Sequence, residues 1–247
     1  MGLDSPTVPR LVARALASHG PQPLFTWYDQ ADGARVELSV ATTANWVSKT
    51  ANLLQDSLGL ASGSTVRIAL PTHWLGAVWL LAAWSVGAVV TDGADGEADL
   101  AVVTAEEAGA ATEGDVVAVG LAPLGGPAGV ALPQGVLDFG AEVLGHGDHF
   151  TAFGPPGAGS PAVRTAGVHQ TQQELVEGVA ATARRCGLAI GGRLLTDATP
   201  TTADGHAAVL APLLLEGSTV LIAHPDHTRL DELAQVERVT ARLGRMG

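Results

Sequence analysis

The sequence predicts an α/β fold of largely parallel sheets flanked by helices, and three observations carry that prediction. Apolar runs of strand length alternate with longer stretches of helical periodicity along the whole chain. Capping residues and glycine stops punctuate them at the right places. Apolar residues make up 47% of the 247, enough to bury a substantial core and too many for a disordered chain.

Residues 11–18 read as a short helix, with Leu11, Val12, Ala15 and Leu16 on one side and His19-Gly20-Pro21 as its stop. Residues 24–28 and 35–39 read as strands around a turn at Asp32-Gly33. Ser39 caps a helix over 39–58, where Ala44, Val47, Ala51, Leu54 and Leu58 recur at spacings of three and four and Gly59 ends the run. After a Ser62-Gly63-Ser64 turn, 65–70 is a strand closed by Pro71, and an apolar helix starts at Trp74. Short buried-type strands follow at 89–90, 100–104 and 116–120, then a Gly- and Pro-rich stretch over 121–135. Another short strand is expected at 150–153. Thr171-Gln172-Gln173-Glu174 has the form of a capping box, opening a helix with Leu175, Val179, Ala183 and Cys186 on one face. Strands at 194–196 and 219–223 flank a helix over 205–215, and 228–242 reads as a final charged helix. We expect one region over residues 1–247, with a subdomain join near 121–150.

Charge excludes one class of function. The net charge is −12, and residues 68–163 contain no Lys or Arg while holding eleven acids, among them Asp95, Glu97 and Glu113. Such a surface repels nucleic acid and draws in no polyphosphate from a distance. The acids are expected to form a solvated face. Residues 1–10, with Asp4 and two prolines, lack the basic start and apolar run of a signal peptide. The apolar run 74–90 is interrupted by Ser85 and Gly87, and suits a core helix running into a buried strand better than a membrane span. With Cys186 as the sole cysteine, no internal disulfide forms and the cytoplasm is the expected location. Cys186 itself is expected as a buried core thiol.

Residues 154–163, Gly-Pro-Pro-Gly-Ala-Gly-Ser-Pro-Ala-Val, have the outline of a phosphate-binding loop set between the strand at 150–153 and the helix from Thr171. Phosphate loops aim consecutive backbone N–H groups at the anion, with hydroxyls and a cation in support. Here Pro155, Pro156 and Pro161 have no N–H, Ser160 is the only hydroxyl, and the first cation is Arg164. The candidate nucleotide-contacting residues are Gly157, Ala158, Gly159, Ser160 and Thr171, in a degenerate loop.

The order of these pieces resembles the N-terminal subdomains of the adenylate-forming superfamily: acyl-CoA synthetases, peptide-synthetase adenylation domains and luciferases. The resemblance rests on VELSVATTANWVSKTANLLQDSLGLASGSTVRIALPTHWLGAVWLLAAWSVGAVV within 35–90, GVHQTQQELVEGV at 167–179 and LAPLLLEGSTVLI at 210–222. It covers roughly residues 10–240 and about the first half of such an enzyme. The resemblance implies ATP and Mg as cofactors and acyl adenylation as the activity, but the motifs depart from the family pattern. Ala162, or Ala166 before Gly167, stands where the family has the lysine of Pro-Lys-Gly, and Thr171-Gln172 stands for its Thr-His pair. Ala203 is at or beside the place of the histidine in Pro-x-x-His after Pro200, and His206 is about a turn out of register. The sequence ends at Gly247, before the family's later motifs, its ribose-binding Asp and its C-terminal catalytic domain; the lone Lys49 is in the wrong region. Displacing pyrophosphate at the α-phosphorus needs positive charge on the leaving group, and losing one such donor costs ~3 kcal/mol of transition-state stabilisation.

The remaining clusters read as structural. His146-Gly147-Asp148-His149 lacks a third strong ligand and is taken as a solvated loop, so no metal site is expected. Asp204 in Asp204-Gly205-His206 is expected to cap a helix. Trp74, Trp79 and Trp84 fall at five-residue intervals and are expected in core or interface packing, with an acyl-binding wall as the alternative. Arg184-Arg185 suits a helix C-terminus. The expectation is a chain with no catalytic residues that binds a protein partner, a second copy of itself or a small apolar or acyl ligand. The alternatives are half of a split acyl-adenylating enzyme, the one case that calls for ATP and Mg, and a structural assembly element.

Overall fold

The computed structural model describes residues 6–94, 96, 98–111 and 114–245. Three of the acids counted above (Asp95, Glu97 and Glu113), together with residues 1–5 and the terminal pair 246–247, lie outside the described residues. The chain runs through α1 (Val8–His19), β1 (Pro23–Asp29), β2 (Arg35–Ser39), α2 (Val40–Asn52), a π-helical turn (Leu53–Ser57), β3 (Thr65–Ala69), α3 (Trp74–Val86) and β4 (Val89–Thr91). It continues through β5 (Leu100–Thr104), β6 (Asp115–Val119), β7 (Leu137–Asp138), α4 (Phe139–Glu142), β8 (Pro161–Thr165), β9 (Val168–Thr171) and α5 (Gln172–Arg185). It closes with β10 (Arg193–Thr196), α6 (Ala203–Leu215), β11 (Ser218–Ala223), α7 (Leu230–Val236) and β12 (Ala241–Leu243).

Two sheets result. One has the order β7-β6-β5-β3-β4-β8-β9, the other β12-β10-β11-β1-β2. Pairing is parallel throughout except at β8–β9 and β1–β2, so the expectation of largely parallel sheets holds. All 13 residues of α3 are buried, because it packs on β3 and β4 of the larger sheet and touches β1 of the smaller. A helix covered on every side needs no polar face, which is why this stretch is apolar all round. Trp74, Trp79 and Trp84 are therefore core side chains; the indole N–H groups of Trp74 and Trp84 donate to the carbonyls of Pro123 and Ala162. No described helix is long and apolar enough to cross a membrane.

Local chemistry explains the helix starts. Ser39 accepts from the Thr42 N–H at the head of α2, and Thr171 and Glu174 close a reciprocal capping box on α5. Gly87 ends α3 in the left-handed region at φ 84°. The Gly- and Pro-rich stretch 121–135 contains no helix or strand and is pinned by close approach. A Cβ on Gly140 would lie 1.8 Å from the Gly126 carbonyl oxygen, so only glycine fits there.

The structure departs from the sequence reading at three places. Residues 150–153 are not a strand. They belong to a strap laid across α2, where Lys49 donates to the His146 carbonyl at 2.5 Å. Asn52 donates to the carbonyls of Gly147 and His149, and Gln55 both donates to the Thr151 carbonyl and accepts from the Phe153 N–H. Side chains rather than a ladder satisfy this backbone, so no strand pairing is needed. Second, a β8–β9 hairpin turning at Ala166-Gly167 stands between the glycine-rich loop and α5. Third, the final helix is only Leu230–Val236; the chain turns at Arg238, at φ 52°, and adds β12 beside β10.

Candidate functional site

The sequence-predicted loop folds onto itself. The Gly157 N–H donates to Ser160 Oγ at 3.0 Å, and the Ser160 N–H donates to the Gly157 carbonyl at 3.1 Å. The carbonyls of Ser160 and Ala158 then accept from the N–H groups of Gln172 and Gln173, at 2.9 and 3.0 Å. The Thr171 hydroxyl takes the next amide, that of Glu174, at 3.2 Å. The amides at the start of α5, which would face an anion, are thus occupied by the chain's own oxygens. None of Gly157, Gly159 or Gly154 needs to be glycine: a Cβ on each would meet nothing within 4 Å.

A different concavity lies at the carboxyl ends of the parallel strands, where open α/β sheets hold their ligands. It is a cleft of about 740 Å³. Asp29 ends β1; Asp197 and Ala198 follow β10, His224 and Pro225 follow β11, Gly244 and Arg245 follow β12, and Pro71, Thr72 and His73 follow β3 of the other sheet. Thr199, Thr202 and Asp204 close it from the start of α6. None of Gly157, Ala158, Gly159, Ser160 and Thr171 lines this cleft.

The walls are held by short-range bonds. Trp27 Nε1 donates to the Thr72 carbonyl at 2.9 Å, and the Thr72 hydroxyl donates to the Asp197 carbonyl at 3.2 Å, tying the two sheets together at the cleft. Asp197 Oδ1 accepts from the Arg245 N–H at 3.1 Å. Gly244 is required there: its φ is 102° and a Cβ would lie 2.4 Å from Asp197 Oδ1. His224 Nδ1 lies 2.8 Å from Asp29 Oδ1, and His224 itself sits at φ 48°, a conformation few residues with side chains adopt.

His73 is the deepest polar group. It caps α3 through Nδ1, which accepts from the Leu75 N–H at 3.2 Å, so its proton is on Nε2. That Nε2–H is buried with no partner among the described residues. The ring meets Trp27 edge-on at 4.4 Å. Burial lowers its pKa to about 4, against a small opposing pull from Asp29, so it is a neutral donor at pH 7.

Other candidates resolve as structure. Thr202, not Asp204, caps α6, accepting from the Gly205 N–H at 3.0 Å; Asp204 stands in the first turn. His206 is buried edge-on against Trp84, 5.3 Å between centroids. Cys186 is half-buried at the end of α5, with its thiol donating to the Ala183 carbonyl, rather than fully in the core. Arg184 and Arg185 occupy the last turn of α5, as expected. No group of three or more metal-ligating side chains is found among the described residues. The cleft residues Asp29, His73, Asp197, His224 and Arg245 escaped sequence reasoning; the usable signal was their position, Asp29 as the last residue of β1 and the others one to four residues beyond a strand.

No protein-family model matches the sequence. The fold is shared with an acyl-CoA synthetase from Brucella canis (TM-score 0.81, 20% identity, 98% of this chain and 48% of that one). It is shared too with an acetoacetyl-CoA synthetase from Streptomyces lividans (TM-score 0.78, 18% identity, 95% and 41%). A third is the N-terminal domain of FACL13 from Mycobacterium tuberculosis (TM-score 0.71, 15% identity, 95% and 61%). The chain spans about half the length of the first of these structures, and the likeness is one of fold. Its sequence is 37% identical over 228 residues to the TIGR03089 family protein of Mycobacterium tuberculosis (strain ATCC 25618 / H37Rv), covering 88% of this chain and 90% of that one. The chain therefore belongs to the TIGR03089 family, on the α/β fold of the acyl-CoA synthetases.

Proposed function

We propose that this chain is a non-catalytic relative of the AMP-dependent ligases that binds a small organic molecule in the cleft at the carboxyl ends of β1, β3, β10, β11 and β12. The observation that carries the reading is the separation of two features. The roomy concavity lies at these strand ends, while the glycine-rich loop has spent its amides and carbonyls on itself and on α5. Its volume of about 740 Å³ suits a drug-sized molecule. Trp27, Leu121, Ile222, Ala223 and Pro225 supply apolar wall, which supports a ligand with an apolar or acyl body.

No residue of the loop supplies the positive charge that pyrophosphate departure requires, so we assign this chain neither ATP nor Mg. The same reading places it in the cytoplasm. A protein partner or second copy would use exposed apolar side chains such as Leu124, Phe153 and Ile190.

The test pairs two assays on the purified chain. A thermal-shift screen of small organic molecules is expected to find stabilising ligands, a ligand at 100 times its Kd adding about 2.7 kcal/mol. ATP with Mg is expected to give no shift, and ATP–pyrophosphate exchange with carboxylic acids no signal. Exchange above background, or ATP seated beside Ser160 in a soaked crystal, would overturn the proposal.

A further inference from the structure

Eight large apolar side chains are exposed among the described residues, and four of them, Leu124, Val130, Leu144 and Phe153, fall within 121–153. Single exposed leucines are ordinary on any protein; a concentration in one short stretch is not. Phe153 is the extreme, at 84% exposed. The stretch is folded over α2. A Cβ on Gly125 would lie 3.6 Å from Trp46 Cη2, and the Phe139 ring stands 6.3 Å from the same indole. The 3-10 turn Val143–Gly145 also touches α2, and the strap then runs over Lys49 and Asn52 to Gln55 of the π-helical turn. Trp46 to Gln55 spans only about 14 Å of helix, so Leu124, Leu144 and Phe153 share one face of the molecule.

Two further properties separate this face from a loose loop. Lys49, Asn52 and Gln55 hold the strap backbone through five hydrogen bonds, so its apolar side chains are presented on a fixed surface and docking orders little new chain. Its charge also has one sign. Besides His146 and His149, the charged side chains of 121–153 are Asp138, Glu142 and Asp148, and Glu142 and Asp148 are exposed. Neighbouring Lys49 turns its ammonium to the His146 carbonyl. A second copy would bring acid against acid at a net charge of −12 per chain, and nucleic acid or an anionic membrane is repelled as well. A cationic surface that also carries apolar side chains complements both features at once.

We propose that the face over α2 formed by Leu124, Leu144 and Phe153 docks a cationic, amphipathic segment of a partner protein, apolar on one side with Lys or Arg beside it. Phe153 and Leu144 supply the anchors; Glu142 and Asp148 meet the partner's charges and set its choice. The proposal is independent of the cleft, which none of these residues lines.

Three fluorescein-labelled peptides of about 18 residues, long enough to form a helix, make the test. One has a Leu face and a Lys face, one Leu and Glu, and one Ser and Lys. Each is titrated with the full chain and followed by fluorescence anisotropy. The Leu/Lys peptide is expected to bind about tenfold more tightly than either of the others. F153S, L144S and E142K are each expected to weaken it several-fold. Glu232→Lys on α7 makes the same change in net charge as E142K, also in the first turn of a helix, and Val236→Ser removes a comparably exposed apolar side chain. Both are expected to leave the affinity within about twofold, and circular dichroism checks that every variant folds. Silence from the Leu/Lys peptide, equal binding of either other peptide, affinity unmoved in F153S and L144S, or a loss in E232K equal to that in E142K overturns the proposal. So does a dimer of the free chain in sedimentation that F153S dissolves, because a second copy then covers the face. None of these outcomes touches the cleft reading, which the small-molecule screen tests.

Discussion

Gln172 offers the sharpest test of how the glycine-rich loop has been put to structural use. It stands where the resembling enzymes carry the histidine of a Thr-His pair, and here it is fully buried. Its Oε1 accepts from the Val8 N–H at 2.9 Å, and its Nε2 donates to the Trp84 carbonyl at 3.1 Å. Its own backbone N–H donates to the Ser160 carbonyl. One residue thus ties α1, α3 and the loop to the head of α5. Gln172→Leu keeps the volume and removes both side-chain bonds. The Val8 N–H, at the buried start of α1, then has no partner, at about 1–3 kcal/mol. The Trp84 carbonyl still receives the Gly87 N–H at 3.3 Å, so its loss is only about 0.5–1.5 kcal/mol. The total is about 1.5–4.5 kcal/mol, a fall in Tm of about 3–18 °C for a domain of this size. Urea denaturation should show the midpoint falling with an unchanged slope. A double variant with Val8→Pro, which deletes the stranded donor at a position where proline is tolerated, should lose less than the sum of the two single changes. A loss below about 0.5 kcal/mol in Q172L, too small for a stranded buried N–H, would refute the reasoning.

Acid should destabilise the protein before its carboxylates titrate. Burial lowers the pKa values of His73 and His206 to about 4, so between pH 6.5 and 4 the unfolded chain binds more protons than the folded one. Stability falls as pH falls through that window, by up to about 1.4 kcal/mol per pH unit for each histidine. His206→Phe should flatten the Tm profile there; superimposable profiles would contradict this. Gly76→Ala places a Cβ 2.4 Å from Pro200 Cγ and should cost about 1–3 kcal/mol, measured by denaturation. Because Pro200 lies between Thr199 and Thr202 of the cleft wall, ligand affinity should fall with it, and Pro200→Ala should restore part of both. Gly157→Ala and Gly159→Ala should each stabilise by about 0.4–1 kcal/mol, since neither glycine has a positive φ or a close neighbour. Destabilisation in thermal melts would mean that the loop needs its glycines after all.

The fold was legible wherever local chemistry and burial agree. Ser39 and the Thr171–Glu174 box mark helix starts whose amides need oxygen, and the unbroken apolarity of α3 reports a helix covered on all sides. Failures came where a distant segment supplied the hydrogen bonds. Residues 150–153 have strand-like composition, yet Gln55 from the π-helical turn after α2 takes the Phe153 N–H. The run 228–242 has helical charge spacing, yet Thr240 bonds to Arg193 and turns Ala241 into the β10 ladder. The β8–β9 turn at Ala166-Gly167 carried a usable sign, a glycine that sits at φ 76° between two short runs. The cleft was illegible for a different reason. Asp29, His73, Asp197, His224 and Arg245 come from five separate segments, one at each strand end, and no local spacing joins them.

Three helix starts bear on whether this fold can hold a phosphate, and each already has an occupant. The head of α5 is filled by the carbonyls of Ala158 and Ser160 and by the Thr171 hydroxyl. At the head of α3, His73 Nδ1 takes the Leu75 N–H beside the cleft. At the head of α6, Thr202 takes the Gly205 N–H and Asp204 puts a carboxylate in the first turn, where the helix dipole favours negative charge. A phosphate would have to displace an oxygen at the first, a ring nitrogen at the second and a fixed negative charge at the third. At each of the three, the amides that would meet an anion already meet an oxygen or nitrogen of the chain itself.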